Sequence, residues 1–300
     1  MQRTTRSYYL FLSLILFIFT FTAGSYAQVI IDGHAPVPEA VAIPRPSEGE
    51  VKAAEEALVK FIQTADPRVK EINSKYPGLI SVTVPRDNTA TMPALMPFFQ
   101  MQHQANLEIA RKGDIDLLLL GDSITDFWRN AEGSFAGKPV FDKYFGNLKM
   151  ANFGIAGDTT QGVLFRLQNG EGRGFSPKLI MLMIGTNNTM QNTGPEIAEG
   201  VGAVVLELKK DFPAAKILLL AIFPRDKPGA QVRKTIDDIN RRIAKLHDGK
   251  KVFYLDIGPK FLDEKGFIPQ DIMSDALHPT TKGYEIWAEA VKEHIEKLMK

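Results

Sequence analysis

The fold class this sequence predicts is α/β: a three-layer α/β/α sandwich around a five-stranded parallel sheet. Three observations carry that prediction. Five short runs are almost wholly apolar: "IDLLLL", "LKMANFG", "KLIMLMIG", "KILLLAIF" and "KVFYLDIG". Strands without a polar face are those covered on both sides, as in parallel sheets. Helical apolar spacing recurs between the runs, which is what parallel crossovers need. Several runs also end in small polar residues, at the strand ends where open parallel sheets hold their ligands.

Taken in order, the 300 residues begin with "MQRTTRSYYLFLSLILFIFTFTAGSYAQ". A basic start, an apolar run from Tyr8 to Phe21, and Ser25 and Ala27 at the positions a peptidase reads make residues 1–27 a cleaved signal peptide. The apolar run is short for a bilayer span of about 20 residues. A secreted or periplasmic chain with no stable membrane association is therefore expected. The sequence contains no cysteine, which excludes a disulfide framework, a thiol nucleophile and a lipid-modified N-terminal cysteine. Losing Arg3 and Arg6 with the leader reduces 36 basic residues to 34, against 35 acidic ones. Such a balance offers no electrostatic footprint for nucleic acid or anionic membrane. Basic pairs such as Lys209-Lys210 and Arg241-Arg242 read as solvated helix faces.

Residues 28–100 form an N-terminal extension of no assigned function. Pro36, Pro38, Pro44 and Pro46 mark a linker between Ala35 and Glu48. Val51, Ala54, Leu58, Phe61 and Ile62 then recur at helical spacing. The stretch from Ala65 to Pro97 mixes turn residues with short apolar pieces, too little for its own core, and is expected to pack on the region C-terminal to it. Residues 101–300 form the main domain. "QANLEIARKG" is helical; Ile197, Val201, Val204 and Leu208 share one helix face, as do Trp287, Val291, Ile295 and Leu298. The expected strand order is flavodoxin-like.

The first strand ends in Gly121, Asp122 and Ser123. A serine hydroxyl is a weak nucleophile and needs a base within hydrogen-bond reach. Of the five histidines, His103 and His294 lie in helical patterns, His34 near the leader, and His247 at a polar helix end; surface or packing roles suit them. His278 differs, because Pro279 keeps it out of helix and in the loop before the last helix. Asp275, three residues earlier, is spaced so that its carboxylate can fold back on the imidazole and fix its tautomer. Acyl transfer also needs donors for the developing oxyanion. Candidates are the N–H of Ser123, the N–H of Gly157, and the side-chain amide of Asn187. Each alone also reads as turn chemistry: Gly157 before a helix-capping Asp158, Gly185 and Asn187 in another turn, Asp122 bonded within its own turn.

In chain order, "GDSIT", "NFGIAGDTT", "GTNN" and "DALHP" resemble the four sequence blocks of the SGNH (GDSL-type) hydrolases, over about Met101 to Leu298. "NFGIAGDTTQGVLFRLQNGE" followed by "GTNN" is most similar to the branch containing platelet-activating factor acetylhydrolase catalytic subunits and their bacterial relatives. The resemblance implies the flavodoxin-like sandwich, ester hydrolysis, and no metal or cofactor. It implies Ser123 as nucleophile, His278 as base, Asp275 as its partner, and Ser123, Gly157 and Asn187 as the oxyanion hole. Asn188 stands where many members carry Asp, Ala156 where the branch often has Gly, and Phe165 where it often has Trp. A homodimer is compatible with that branch.

The function expected is an exported serine esterase acting on a small-molecule or polysaccharide acyl ester, with acetyl esters of carbohydrates foremost. A phospholipid acetylhydrolase or lysophospholipase is the first alternative; it would want a contiguous apolar surface at the active edge, and no exposed amphipathic lid stands out in the sequence. A sugar O-acyltransferase would use the same residues while excluding water. A non-catalytic carbohydrate-binding module would need none of them.

Overall fold

Four consecutive leucines are explained by the two faces they fill. The computed structural model describes residues 33–300, so the expected signal peptide lies outside the described residues. The strands are β1 (Leu117–Gly121), β2 (Met150–Asn152), β3 (Leu179–Met183), β4 (Lys216–Leu220) and β5 (Val252–Leu255). Leu118 and Leu120 enter one apolar layer while Leu117 and Leu119 enter the other, as the period of two requires. Ile180 and Leu182 alternate in the same way with Leu179, Met181 and Met183. All pairings are parallel, in the order β2-β1-β3-β4-β5, the flavodoxin-like order the sequence predicts. Leu117 lies opposite Met150 and Leu179, and Gly121 opposite Met183.

The helices are α1 (Glu48–Thr64), α2 (Pro67–Lys75), α3 (Gln100–Lys112), α4 (Ser123–Asp126), α5 (Lys138–Phe145), α6 (Thr160–Arg166), α7 (Gly194–Asp211), α8 (Gln231–Ile243) and α9 (Thr281–Leu298). One sheet face is covered by Ala110 of α3, Val163 of α6, Ile197, Val201 and Val204 of α7, and Ile236 and Ile239 of α8. The other is covered by Ile124 of α4, Phe141 and Phe145 of α5, and Trp287, Val291 and Ile295 of α9. The Tyr284 hydroxyl donates to the carbonyl of Ile124 at 2.8 Å, so the last helix braces the turn after β1.

The extension divides. The predicted helix forms as α1, entered through a reciprocal cap in which Ser47 Oγ accepts from Glu50 and the Glu50 carboxylate accepts from Ser47. Yet neither α1 nor α2 buries a residue, and Phe61 remains 46% exposed. The parts that do pack flank these two helices in the chain and lie along α7. Glu199, fully buried, accepts from Ile43 N–H, both Arg45 terminal nitrogens and the Asn88 amide. Arg86 pairs with Glu196. Among the described residues no helix is long and apolar enough to cross a membrane.

Candidate active site

Ser123 stands at the carboxyl end of β1, in a turn whose shape its neighbours dictate. A Cβ added at Gly121 would come 2.3 Å from both the Met183 carbonyl and Thr125 Oγ1, so the position admits no side chain. Asp122 is buried, and its Oδ1 accepts the Ile124 N–H at 3.0 Å, capping α4 from within the turn as read from sequence. Burial pushes the Asp122 carboxyl up to about 7, against the opposing pull of the Ile124 N–H and Arg225. Ser123 itself is 7% exposed.

The residues predicted from the fifth strand's loop arrive beside it. His278 Nε2 lies 2.8 Å from Ser123 Oγ, and His278 Nδ1 lies 2.6 Å from Asp275 Oδ2. Asp275 Oδ1 accepts the N–H groups of His278 at 2.8 Å and Leu277 at 3.0 Å. Burial raises the Asp275 carboxyl, but these donors and the imidazole outweigh it and hold the group below the usual carboxylate range. An ionised Asp275 assigns the imidazole proton to Nδ1, which leaves Nε2 to accept from the Ser123 hydroxyl. Phe127 and Phe135 stack with centroids 5.9 Å apart, and each flanks the His278 ring, at 5.1 and 5.3 Å.

The loop after β2 carries Gly157, whose φ of 87° suits glycine. This loop is joined to the serine turn where Ile155 N–H donates to the Gly121 carbonyl at 3.1 Å. Asn187, after β3, donates one amide hydrogen to the Asp158 carbonyl at 2.8 Å. The capping role read for Asp158 gives way: Thr159 is the residue preceding α6, and the Asp158 carboxylate turns instead to Arg166. Asn188 fastens the start of α6, with Oδ1 accepting Thr160 N–H at 3.0 Å and Nδ2 donating to Gln161 at 2.8 Å. An amide can do both, which a carboxylate at this position could not.

The other histidines lie elsewhere. His34 bonds Thr91, His247 accepts from Tyr254 N–H, and His294 sits on the exposed face of α9. His103 is buried against Glu171 at 2.7 Å. Two features escaped the sequence reading. Phe99 is buried with its ring 3.5 Å from where a Gly157 Cβ would stand. Behind the same loop, Asp158, Arg166, Glu171 and His103 form a buried chain of polar side chains linked by hydrogen bonds. Part of the signal for the latter was present in "VLFRLQNGE", where Arg166 interrupts an apolar stretch. Among the described residues no group of three or more His, Asp or Glu is placed to hold a metal ion.

The sequence pattern of the GDSL-like lipase/acylhydrolase family matches residues 119–286. The chain is 33% identical over 199 residues to platelet-activating factor acetylhydrolase IB subunit alpha2 of Rattus norvegicus, covering 66% of this chain and 83% of the relative. Subunit alpha1 of Mus musculus is 30% identical over 185 residues, covering 61% and 76%. A GDSL-like lipase structure from Bacteroides thetaiotaomicron superposes with a TM-score of 0.53 at 21% identity, over 66% of this chain and 97% of that one. A structure from Bacteroides fragilis gives 0.55 at 20% identity, over 72% and 100%. At these identities the solved structures speak for the fold.

Proposed function

This chain belongs to the GDSL-like lipase/acylhydrolase family and is a hydrolase of the esterase type, and on that premise we propose that it removes short acyl groups, acetyl foremost, from carbohydrate hydroxyls through an acyl-enzyme on Ser123. The observation that carries this reading is the continuous relay from Ser123 Oγ through His278 to Asp275, with contacts of 2.8 and 2.6 Å. Ser123 Oγ attacks the ester carbonyl carbon as its proton passes to His278 Nε2. Asp275 stabilises the imidazolium. The oxyanion receives the N–H groups of Ser123 and Gly157 and the Asn187 amide hydrogen that Asp158 does not hold. The bond from carbonyl carbon to alcohol oxygen breaks as His278 returns the proton to that oxygen. Water then takes the alcohol's place and the sequence runs in reverse.

Acyl length is limited, in this reading, by Phe99 beside Gly157. The half-buried pair Phe127 and Phe135 lies beside His278, where the alcohol must leave, and aromatic faces suit the apolar face of a pyranose ring. A second reading, a phospholipid acetylhydrolase, draws on the name of the relatives and on an apolar rim the sequence did not announce. Met96, Phe98 and Met101 are 53%, 70% and 83% exposed, and the Phe98 ring packs 4.3 Å from that of Phe99. Export after cleavage behind Ala27 belongs to the same proposal and rests on the leader sequence.

The test offers the chain from Gln28 acetylated xylo-oligosaccharides, an acetylated glycerophospholipid, and p-nitrophenyl esters of increasing acyl length. Release of acetate from the sugars, with p-nitrophenyl acetate preferred over longer esters, supports the proposal. Faster turnover of the phospholipid moves the assignment to the second reading. Preference for long acyl chains overturns the short-acyl assignment.

A further inference from the structure

The two loops that supply non-serine oxyanion donors meet at one residue, Asp158. Its carbonyl holds the Asn187 amide at 2.8 Å, and its backbone continues directly from Gly157. Its carboxylate is buried: Oδ1 accepts Thr159 N–H at 2.8 Å, and Oδ2 accepts Arg166 Nε at 3.0 Å and Nη2 at 2.8 Å. Arg166, fully buried, extends Nη1 to the Glu171 carboxylate. Glu171 in turn bonds His103 Nδ1 at 2.7 Å and accepts from the Asn106 amide at 3.3 Å, both on α3. Burial pulls the Arg166 guanidinium down, but Glu171 and Asp158 more than restore it, so it stays charged. Replacing a buried ion cluster by apolar groups is often neutral or stabilising, so fold stability alone is a weak account of this one. Its placement directly behind both donors points to function.

We propose that Arg166 is a positioning residue for the oxyanion hole: by clamping the Asp158 carboxylate it fixes the backbone at Gly157 and, through the Asp158 carbonyl, the side-chain amide of Asn187. The assignment rests on the reading of Gly157 and Asn187 as oxyanion donors. Preorganised donors act on the transition state more than on bound substrate. Loosening them therefore lowers kcat and leaves KM nearly alone, which a general loss of stability does not do in protein that remains folded. Because Arg166 acts through Asn187 and Gly157, its removal also matters less once Asn187 has been truncated.

The experiment measures kcat and KM on p-nitrophenyl acetate for Arg166→Met, Asn187→Ala and the double variant, at a temperature where circular dichroism shows each folded. A kcat loss of more than tenfold in Arg166→Met, KM within about threefold of wild type, and a double variant less impaired than the product of the two single losses is the expected result. A folded Arg166→Met within tenfold of wild-type kcat, a loss confined to KM, or single losses that multiply would overturn the proposal. Should Arg166→Met fail to fold, Asp158→Asn, which keeps the residue's shape and carbonyl, is judged by the same criteria. Ser123→Ala separates the two levels. Ester turnover that survives in Ser123→Ala removes the underlying reading, whereas serine-dependent turnover indifferent to Arg166 and Asp158 removes this inference alone.

Discussion

Asp226 donates its N–H to the carbonyl of Ala276 at 2.9 Å, joining the two non-glycine residues with left-handed φ among the described residues, 63° and 56°. Ala276 directly follows Asp275 and lies two residues before His278. Left-handed backbone costs a residue with a Cβ about 1–2 kcal/mol, so the conformation persists because its surroundings hold it. Arg233 provides part of that hold by donating to the carbonyls of Arg225, Asp226 and Gly266. The reversal lets the Asp275 carboxylate reach both the His278 N–H and the His278 ring.

Ala276→Gly is therefore expected to leave stability within about 1 kcal/mol of wild type, because relief of strain offsets the added unfolded-state entropy. Ala276→Val places a β-branched side chain in left-handed backbone and is expected to cost about 1–3 kcal/mol. It should also lower kcat on p-nitrophenyl acetate more than tenfold by displacing Asp275 and His278. Urea denaturation and ester turnover check the two halves.

Asp275→Asn keeps the shape but loses the charge that assigns the imidazole proton to Nδ1. A fall in kcat of about 10³–10⁴-fold with a nearly unchanged KM is expected. Steady-state kinetics at neutral pH measures it, and a loss under tenfold would remove Asp275 from the relay.

Phe99→Ala opens space beside Gly157. The ratio of turnover on p-nitrophenyl butyrate to turnover on acetate is expected to rise roughly tenfold. The emptied site should also lower unfolding stability by about 3–5 kcal/mol. A ratio unchanged in folded protein would show that the ring does not face the acyl group.

How far these residues could be read from sequence depends on their separation along the chain. The leucines of β1 announce a doubly covered strand because burial on both faces removes the need for polar alternation. Asp275 and His278 are legible as a pair because they are three residues apart. His103 and Glu171 are 68 residues apart, and no local spacing brings them together. Phe99 is equally silent, since its value lies in standing against a glycine on another loop. In α1 the apolar spacing was legible and its consequence was not: periodicity says that a face exists, not that a neighbour covers it. The exposed rim of Met96, Phe98 and Met101 was missed because apolar residues clustered in a short stretch resemble a buried run.

Asp122 supplies the pH test. Its carboxyl is raised to about 7 by burial in the folded chain, against about 3.8 when unfolded. The folded state therefore binds the extra proton between those values, and stability falls as pH rises from 4 to 7, then levels off. The full shift corresponds to about 4 kcal/mol. Asp122→Asn keeps an acceptor for the Ile124 N–H and carries no ionisation. Its stability curve over that window is expected to be flatter than wild type, with the greatest gain near pH 8. Urea midpoints from pH 4 to 8 decide it; parallel curves would contradict the burial argument.

Glu199→Ala removes the acceptor shared by Ile43, Arg45 and Asn88. A loss of about 3–5 kcal/mol is expected, because Arg45 loses its carboxylate partner and the buried Asn88 amide keeps only the Glu196 carbonyl. Residues 33–47 should become the first sites cut under limited proteolysis. Cleavage confined to other segments would show that Glu199 does not anchor the extension.

The identity of the nucleophile is the central claim, and covalent trapping addresses it most directly. The chain from Gln28 is treated with a fluorophosphonate and the modified peptide located by mass spectrometry, beside Ser123→Ala. The expected result is one adduct, on Ser123, formed in step with loss of esterase activity and absent from the variant. Esterase activity with no adduct at Ser123, or with the adduct on another residue, would contradict the account.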